Sequence, residues 1–231
     1  EDVLRRDFTV NTLLEGLHDG VLLDLTGWAM PDLDRRTIRT PLEPTRTFKD
    51  DPLRMLRAIR LAVTLGFSIE NATWDGICRE AHRIDLIGDG VRVVSAERIR
   101  DEFIKTLMAP DAPRGMELLE SSGLLARFLP ELSAMKGVAQ NAWHSMDVWH
   151  HTMKGLSAVS ADGSLALRLA VLFHDVGKPV TRTEDERGVH FYRHETVGAE
   201  MTRMALCRLR MPLGVVREVV DLVALHMRLG Q

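Results

Sequence analysis

Cysteine is nearly absent from this chain: Cys78 and Cys207 are the only two in 231 residues, and they fall far apart in predicted helices. That excludes a disulfide-stapled scaffold, fits a reducing compartment, and leaves both as expected small core residues. Long apolar runs are lacking too. The longest, residues 169–173, is far too short to span a bilayer, and no signal peptide is evident. No membrane partner and a cytoplasmic location are therefore expected. Positive charge is not in excess, since the formal net charge is −3. A protein-wide basic field for nucleic acid is thereby excluded, and any polyanion site must come from local clusters. Arg far outnumbers Lys, however, and its planar guanidinium suits phosphates and base edges better. There is no fixed-period repeat, heptad run or low-complexity segment. The initiator Met is missing and the chain opens inside an amphipathic pattern, so a fragment is expected.

What is present is ordinary for a globular protein, with 45% hydrophobic and 27% charged residues. Residues 1–17 read as a helix with Phe8, Leu13, Leu14 and Leu17 on its apolar side. Residues 21–25 and 37–40 read as short strands around a helical turn at 31–34, and Pro41 and Pro44 as a linker. This first part is the trailing edge of an α/β unit, too small to hold a sheet alone. After Lys49 the periodicity is helical. Helices are predicted over residues 51–66, 71–83, 96–108, 111–123, 124–128, 147–159, 165–176, 195–210 and 213–229. Residues 88–90 and 134–143 read as loops, and 181–192 as a loose hairpin around Arg187-Gly188. The fold class is mainly α, with a boundary near Gln140, where a His-rich set of helices begins.

Two charged constellations stand in the first half. The helix after Lys49 starts with Asp51 as its cap and Pro52 in first position, and it puts Asp51 and Arg54 on one face. A carboxylate and a guanidinium so placed match the donors and acceptors of one base edge. The plain alternative is a capping Asp and a solvated basic row of Arg54, Arg57 and Arg60. Upstream, Arg5-Arg6-Asp7 sets two guanidiniums beside a carboxylate, which is either a triphosphate or ribose site or a surface ion-pair cluster.

The second half carries a third. An apolar helix, residues 165–176, ends in His174-Asp175, with Gly177 and Lys178 beyond. Adjacent helical side chains diverge by about 100°, so such a pair converges on one ion best at a helix end, which Gly177 supplies. Imidazole plus carboxylate suits Mn²⁺, Fe²⁺, Ni²⁺ or Zn²⁺. His151 on the preceding helix is the natural third ligand, and His194 and His226 could add a second ion. His18, His82 and His190 read as capped or core histidines.

Three blocks resemble the bacterial tRNA nucleotidyltransferases and the related poly(A) polymerases of class II. They are Arg5-Arg6-Asp7-Phe8-Thr9-Val10-Asn11, Asp24-Leu25-Thr26-Gly27 and Asp50-Asp51-Pro52-Leu53-Arg54-Met55-Leu56-Arg57-Ala58. Leu65-Gly66-Phe67 and residues 95–102 and 118–125 agree in order and spacing. The resemblance implies a remnant of a nucleotidyltransferase head at 1–47, a helical neck binding RNA and nucleotide at 48–139, and an HD-type domain at 140–231. It implies that Arg5 and Arg6 contact the phosphates or sugar of the nucleotide, with Asp7 holding that site. Asp51 and Arg54, with Arg57 one turn on, would read CTP and then ATP for addition to a tRNA 3′ end. A carboxylate accepts from the exocyclic amine of C or A, and the Arg donates to the ring nitrogen or carbonyl. Neither G nor U presents that combination. Asp24 and Gly27 match a flexible element between head and neck, although Trp28 stands where many relatives have a second Gly. In the family, carboxylates holding Mg²⁺ follow a Gly-Ser pair upstream of the Arg-Arg-Asp block, so those ligands are expected outside this chain.

His151-Thr152, His174-Asp175, Gly177-Lys178, His194-Glu195 and His226 resemble the HD superfamily of metal-dependent phosphohydrolases. That implies His151, His174, Asp175, His194 and His226 as ligands of a divalent ion such as Ni²⁺ or Mn²⁺. It implies Asp175 and Lys178 as catalytic residues, the lysine neutralising a phosphate. The usual final Asp of the pattern is not evident, although Asp221 is near in sequence. Three readings follow: a tRNA nucleotidyltransferase, an HD hydrolase of cyclic phosphates, 2′-phosphates or nucleotides, and a non-catalytic RNA-binding body.

Overall fold

Asp7 decides the course of the N-terminal segment. Its carboxylate accepts from the Phe8 N–H and from the Asn11 side chain, a local alternative to helical hydrogen bonds. The helix predicted over residues 1–17 is therefore not formed. Asp2–Arg5 and Thr9–Asn11 are single 3₁₀ turns instead. Phe8 turns inward and is fully buried, and Leu17, predicted inside, is exposed. This computed structural model describes residues 2–88, 90–139, 146–186 and 188–230.

Strand β1 (Leu14–Glu15) pairs antiparallel with β2 (Leu22–Leu23). Helix α1 (Ala29–Asp34) then leads to β3 (Thr37–Ile38), which pairs in parallel with β4 (Ser68–Ile69), a strand the local pattern does not announce. Buried Asp32 ties this edge together, accepting from Arg39 Nε at 3.0 Å and from the Thr9 hydroxyl at 2.7 Å.

The Pro-rich stretch is helix α2 (Pro44–Asp50), not a linker. Pro44 occupies its first position, where a missing N–H is harmless, and Glu43 accepts from the Arg46 N–H. Helix α3 (Leu53–Leu65) begins two residues after Asp51, whose carboxylate still accepts from the Leu53 N–H at 3.1 Å. It stops at Gly66 in the left-handed conformation, φ 67°. Its apolar stripe of Leu53, Leu56, Ile59, Ala62 and Val63 is buried against α5 (Ala96–Leu107) and α6 (Ala112–Ser121). Helix α4 (Asn71–Glu80) lies across α2 so closely that a Cβ on Gly76 would meet Pro44 at 2.4 Å. Where a loop is predicted, β5 (Ile87–Gly88) and β6 (Val91–Arg92) form a hairpin; Asp89 lies outside the described residues. Helices α7 (Leu124–Phe128) and α8 (Pro130–Ser133) close this body. The predicted boundary at Gln140 and Arg187 of the predicted hairpin turn also lie outside the described residues.

The remainder is α9 (Val148–Ser157), α10 (Leu165–Phe173), α11 (Lys178–Thr181), the hairpin β7 (Thr183–Asp185) and β8 (Gly188–His190), α12 (His194–Arg208) and α13 (Leu213–Leu225). The architecture is thus mainly α with short strand pairs. No helix among the described residues is long and apolar enough to cross a membrane. Cys78 and Cys207 are exposed, not core residues, on the outer faces of α4 and α12.

One buried charge fastens the two helical sets. Arg168 is 4% exposed and donates to the carbonyls of Leu107 (3.2 Å), Ser160 (3.1 Å) and Ala161 (3.3 Å). Arg168→Met keeps the stem and removes every donor, so the Leu107 and Ala161 carbonyls lose this partner while Ser160 keeps the Gly163 N–H. It is expected to lower stability by about 2–4 kcal/mol, read as a lower urea midpoint at unchanged slope.

Candidate functional site

Two clusters lie in different parts of the molecule. The first is a cleft of about 440 Å³ lined by Arg5, Arg6, Asp7, Asn11, Asp51, Leu53, Arg54, Arg57 and Arg98. The N-terminal turns supply one wall and the start of α3 the other. Arg57 Nε and Nη2 both donate to Asp7 Oδ2, at 2.9 and 2.5 Å. Burial would push the Asp7 carboxyl up, but the Asn11 and Arg57 hydrogen bonds outweigh it and hold it below its ordinary value. Arg54 Nη2 donates to the Arg5 carbonyl at 2.6 Å, across 49 residues of sequence. Arg60 Nε donates to buried Glu102 at 2.6 Å. Each guanidinium of the row on α3 therefore meets a protein acceptor while staying part-exposed. Asp51 Oδ1 accepts from Leu53, and Oδ2 accepts from Arg98 Nη2 at 2.8 Å. Residues 95–102 belong to a recognisable block, but a pairing across 47 residues leaves no local signal, so Arg98 is the cleft residue the sequence does not single out. Arg5 and Arg6 are exposed at the rim, and Arg6 Nη1 donates to the Asn11 carbonyl at 2.7 Å.

Beyond the cleft, Asp24 folds its own loop. Its carboxylate accepts from Thr26, Gly27 and Met30, and Gly27 takes φ 67°. Trp28 lies against the Arg39 guanidinium, 4.5 Å from the ring centroid.

The second cluster surrounds Asp175, which is 2% exposed. Helix α10 ends at Phe173, earlier than predicted, and residues 174–177 turn toward α12. Gly177 does not serve as a left-handed stop, since its φ is −78°. It is small because a Cβ there would meet the His194 carbonyl at 2.3 Å and the Gly198 nitrogen at 2.8 Å. That close crossing brings Asp175 beside the first turn of α12. Asp175 Oδ2 lies 3.2 Å from His174 Nε2, 3.8 Å from His151 Nε2 and 2.7 Å from Lys178 Nζ. Oδ1 lies 3.5 Å from His194 Nε2 and 3.8 Å from His226 Nε2. The geometry yields two groups, His151–His174–Asp175 and Asp175–His194–His226, sharing one carboxylate. Asp221 is exposed on α13 and lines neither. His18 and His82 are exposed, so neither is a core histidine, but His82 Nδ1 lies 3.2 Å from the Arg79 carbonyl near the end of α4, as a capping histidine would.

The donor set fits a divalent cation. Nδ1 of His174, His194 and His226 lies 2.7, 2.8 and 2.7 Å from the carbonyls of Val171, Phe191 and Val223. A proton on each Nδ1 satisfies those carbonyls and leaves Nε2 a lone pair facing Asp175. His194 Nε2 and His226 Nε2 are then two acceptors only 3.3 Å apart, an arrangement that a shared cation relieves. Burial pushes His226 below its ordinary value, with the neighbouring imidazoles adding to it. Burial would raise Asp175, but the positive charge about it, from His174 when its Nε2 is also protonated and from the Lys178 ammonium, holds it well below the carboxylate range.

The fold over nearly the whole chain is one that solved structures share. The Bacillus stearothermophilus CCA-adding enzyme in complex with CTP matches with a TM-score of 0.67 and 27% identity, covering 98% of this chain and 47% of that one. The Thermotoga maritima CCA-adding enzyme complexed with tRNA shares the fold at TM-score 0.61 and 21% identity, over 94% of this chain and 46% of that one. Residues 1–39 match the poly A polymerase head domain, 66–136 the probable RNA and SrmB-binding site of polymerase A, and 143–231 the HD domain. Head, RNA-binding and HD matches thus follow one another along most of the chain, which is similar to the tRNA nucleotidyltransferases and poly(A) polymerases and to HD-domain proteins. It is 40% identical to the CC-adding tRNA nucleotidyltransferase of Thermus thermophilus over 232 residues, and 40% identical to the A-adding enzyme of Deinococcus radiodurans over 233. Each alignment covers 98% of this chain and 52% of the relative, so the chain spans about half the length of the curated relatives it matches.

Proposed function

We propose that this chain is the nucleotide-selecting and tRNA-binding part of a tRNA 3′-end nucleotidyltransferase that uses CTP and ATP. The observation that carries the reading is the single cleft joining Arg5, Arg6 and Asp7 to Asp51 and Arg54. Arg5 and Arg6 offer donors to phosphate at its rim. Asp51 Oδ2 keeps acceptor capacity beside its bond to Arg98, and Arg54 holds planar donors one turn along. The neighbouring carboxylates do not fit a Mg²⁺ site: Asp7 is taken by Arg57, Asn11 and Phe8, and Asp51 by Arg98 and Leu53. No step of transfer chemistry is assigned to them. The test is extension of a tRNA lacking its CCA end by the full-length protein, with each of the four nucleoside triphosphates in turn. Incorporation of C or A alone supports the reading, and equal use of G or U rejects it.

A second activity is favoured by the Asp175 cluster: hydrolysis of phosphoesters on RNA ends or nucleotides. Here His151, His174, Asp175, His194 and His226 would hold a divalent transition metal such as Ni²⁺ or Mn²⁺. When bound, such an ion supplies acidification of a water and polarisation of a phosphoryl oxygen. The protein's own part is to fix the imidazole tautomers through backbone carbonyls, to keep Asp175 ionised, and to set Lys178 Nζ where it can meet a phosphate.

A further inference from the structure

The hairpin segment beside the Asp175 cluster does something the metal ligands do not require. The cavity over the cluster, about 410 Å³, is lined on one side by His190, Phe191 and Tyr192. That volume sits within the range of small-molecule sites, roughly 300–1,000 Å³. Tyr192 is the only tyrosine in the chain and is 69% exposed. Its ring is stacked on His190, with centroids 5.2 Å apart and planes 13° from parallel. His190 is itself held, with Nε2 3.0 Å from Asp185 Oδ1. The pair is therefore a flat, braced aromatic surface open to solvent, at a place where core packing gives no reason for one. The segment is also fixed to the cluster. The Phe191 carbonyl accepts from the His194 backbone and lies 2.8 Å from His194 Nδ1, and the Phe191 ring lies 5.6 Å from Lys178 Nζ. The turn that aims one imidazole at Asp175 thus sets the aromatic surface on the wall of the same cavity.

We infer that Tyr192, braced by His190, is a base-stacking subsite, so that the cavity takes a nucleoside phosphate with its base on Tyr192 and its phosphate toward Asp175 and Lys178. The inference rests on the hydrolase reading of this cluster, with RNA ends or nucleotides as its substrates, and adds to it the side chain that holds their base. A π-face suits any base, so little preference among bases is expected, in contrast to the cleft at Asp51.

The test is calorimetric binding to the full-length protein, using adenosine 2′-monophosphate, a short RNA ending in a 2′-phosphate, and inorganic phosphate. Tyr192→Ala should weaken the mononucleotide about tenfold, within the range measured for base–aromatic stacking, and leave inorganic phosphate unchanged. Tyr192→Phe should restore the affinity. Weakening of the RNA alone would point to a chain end as the ligand, and weakening of both to any nucleoside phosphate; either supports the subsite. Equal affinities in wild type and Tyr192→Ala, or parallel loss for nucleotide and phosphate, overturn it. Hydrolysis separates the two readings. If no phosphoester is cleaved yet nucleotide binding still depends on Tyr192, the hydrolase reading fails and the subsite stands. If cleavage of adenosine 2′-monophosphate proceeds with kcat/KM unmoved by Tyr192→Ala, the subsite fails and the hydrolase reading stands.

Discussion

Asp175→Asn is expected to release metal from both His/Asp groups and to lower phosphoesterase activity by about 10³-fold or more, as for removal of a group that works as part of a unit. Both groups depend on this one carboxylate, one through Oδ2 and one through Oδ1. Four imidazoles and an ammonium converge on it, and it is the one anionic ligand among them, so without its charge nothing offsets the repulsion of an added cation by Lys178. The measurement is metal content after dialysis against Ni²⁺ or Mn²⁺, with rates on a cyclic phosphodiester beside it. Lys178→Ala provides the contrast. Its ammonium is no ligand, so metal content should hold while the rate falls. In wild type, metal affinity should fall as pH drops through the imidazole range, because protons compete for the same Nε2 lone pairs. An Asp175→Asn protein with full metal content and the wild-type rate would remove the hydrolase reading.

How far the sequence shows this cluster is instructive. His174-Asp175 is visible because an apolar helix ends on it, and His151 follows from being on the preceding helix. That His194 and His226 face the other carboxylate oxygen depends on the crossing of residues 174–177 over α12. That crossing turns on Gly177, whose size matters and whose φ does not. A glycine chosen for close approach and one chosen for a left-handed stop look alike in sequence. The long helices are legible from their caps, as Ser95, Asp111 and Asp147 show by accepting the expected backbone N–H groups. Proline misleads at Pro44, which reads as a breaker and acts as a helix start. The N-terminal segment misleads for another reason. Its apolar spacing is helical, but Asp7 draws the backbone N–H of Phe8 and the side chains of Asn11 and Arg57 to itself. Long-range partners such as Arg98 for Asp51, or Arg168 for Leu107, are set by tertiary packing and have no local signature.

Asp51→Ala in the full-length protein should collapse the choice of nucleotide more than the rate itself. Kcat/KM for CTP is expected to fall about 10²-fold, the scale of a lost hydrogen bond to a charged acceptor. UTP, which has no exocyclic amine to donate, should be nearly unaffected, so the C-over-U ratio falls toward one. Arg54→Ala removes the donors instead and should weaken CTP and ATP together. Reaching a base requires Arg54 to leave the Arg5 carbonyl, 2.6 Å away, so this cleft is braced against itself before a nucleotide enters. Arg98 gives the sharpest control. It donates to Asp51 Oδ2 from outside the proposed base-reading pair of Asp51 and Arg54, and a carboxylate oxygen can accept a second hydrogen bond. Arg98 is therefore expected to position Asp51 without touching the base. Arg98→Ala should cost CTP and ATP a similar several-fold in KM, roughly 1 kcal/mol of positioning, and leave the C-over-U ratio intact. The measurement is single-nucleotide addition to a tRNA lacking its CCA end, with each triphosphate in turn. Preserved C-over-U preference in Asp51→Ala, or lost preference in Arg98→Ala, would move base reading away from Asp51.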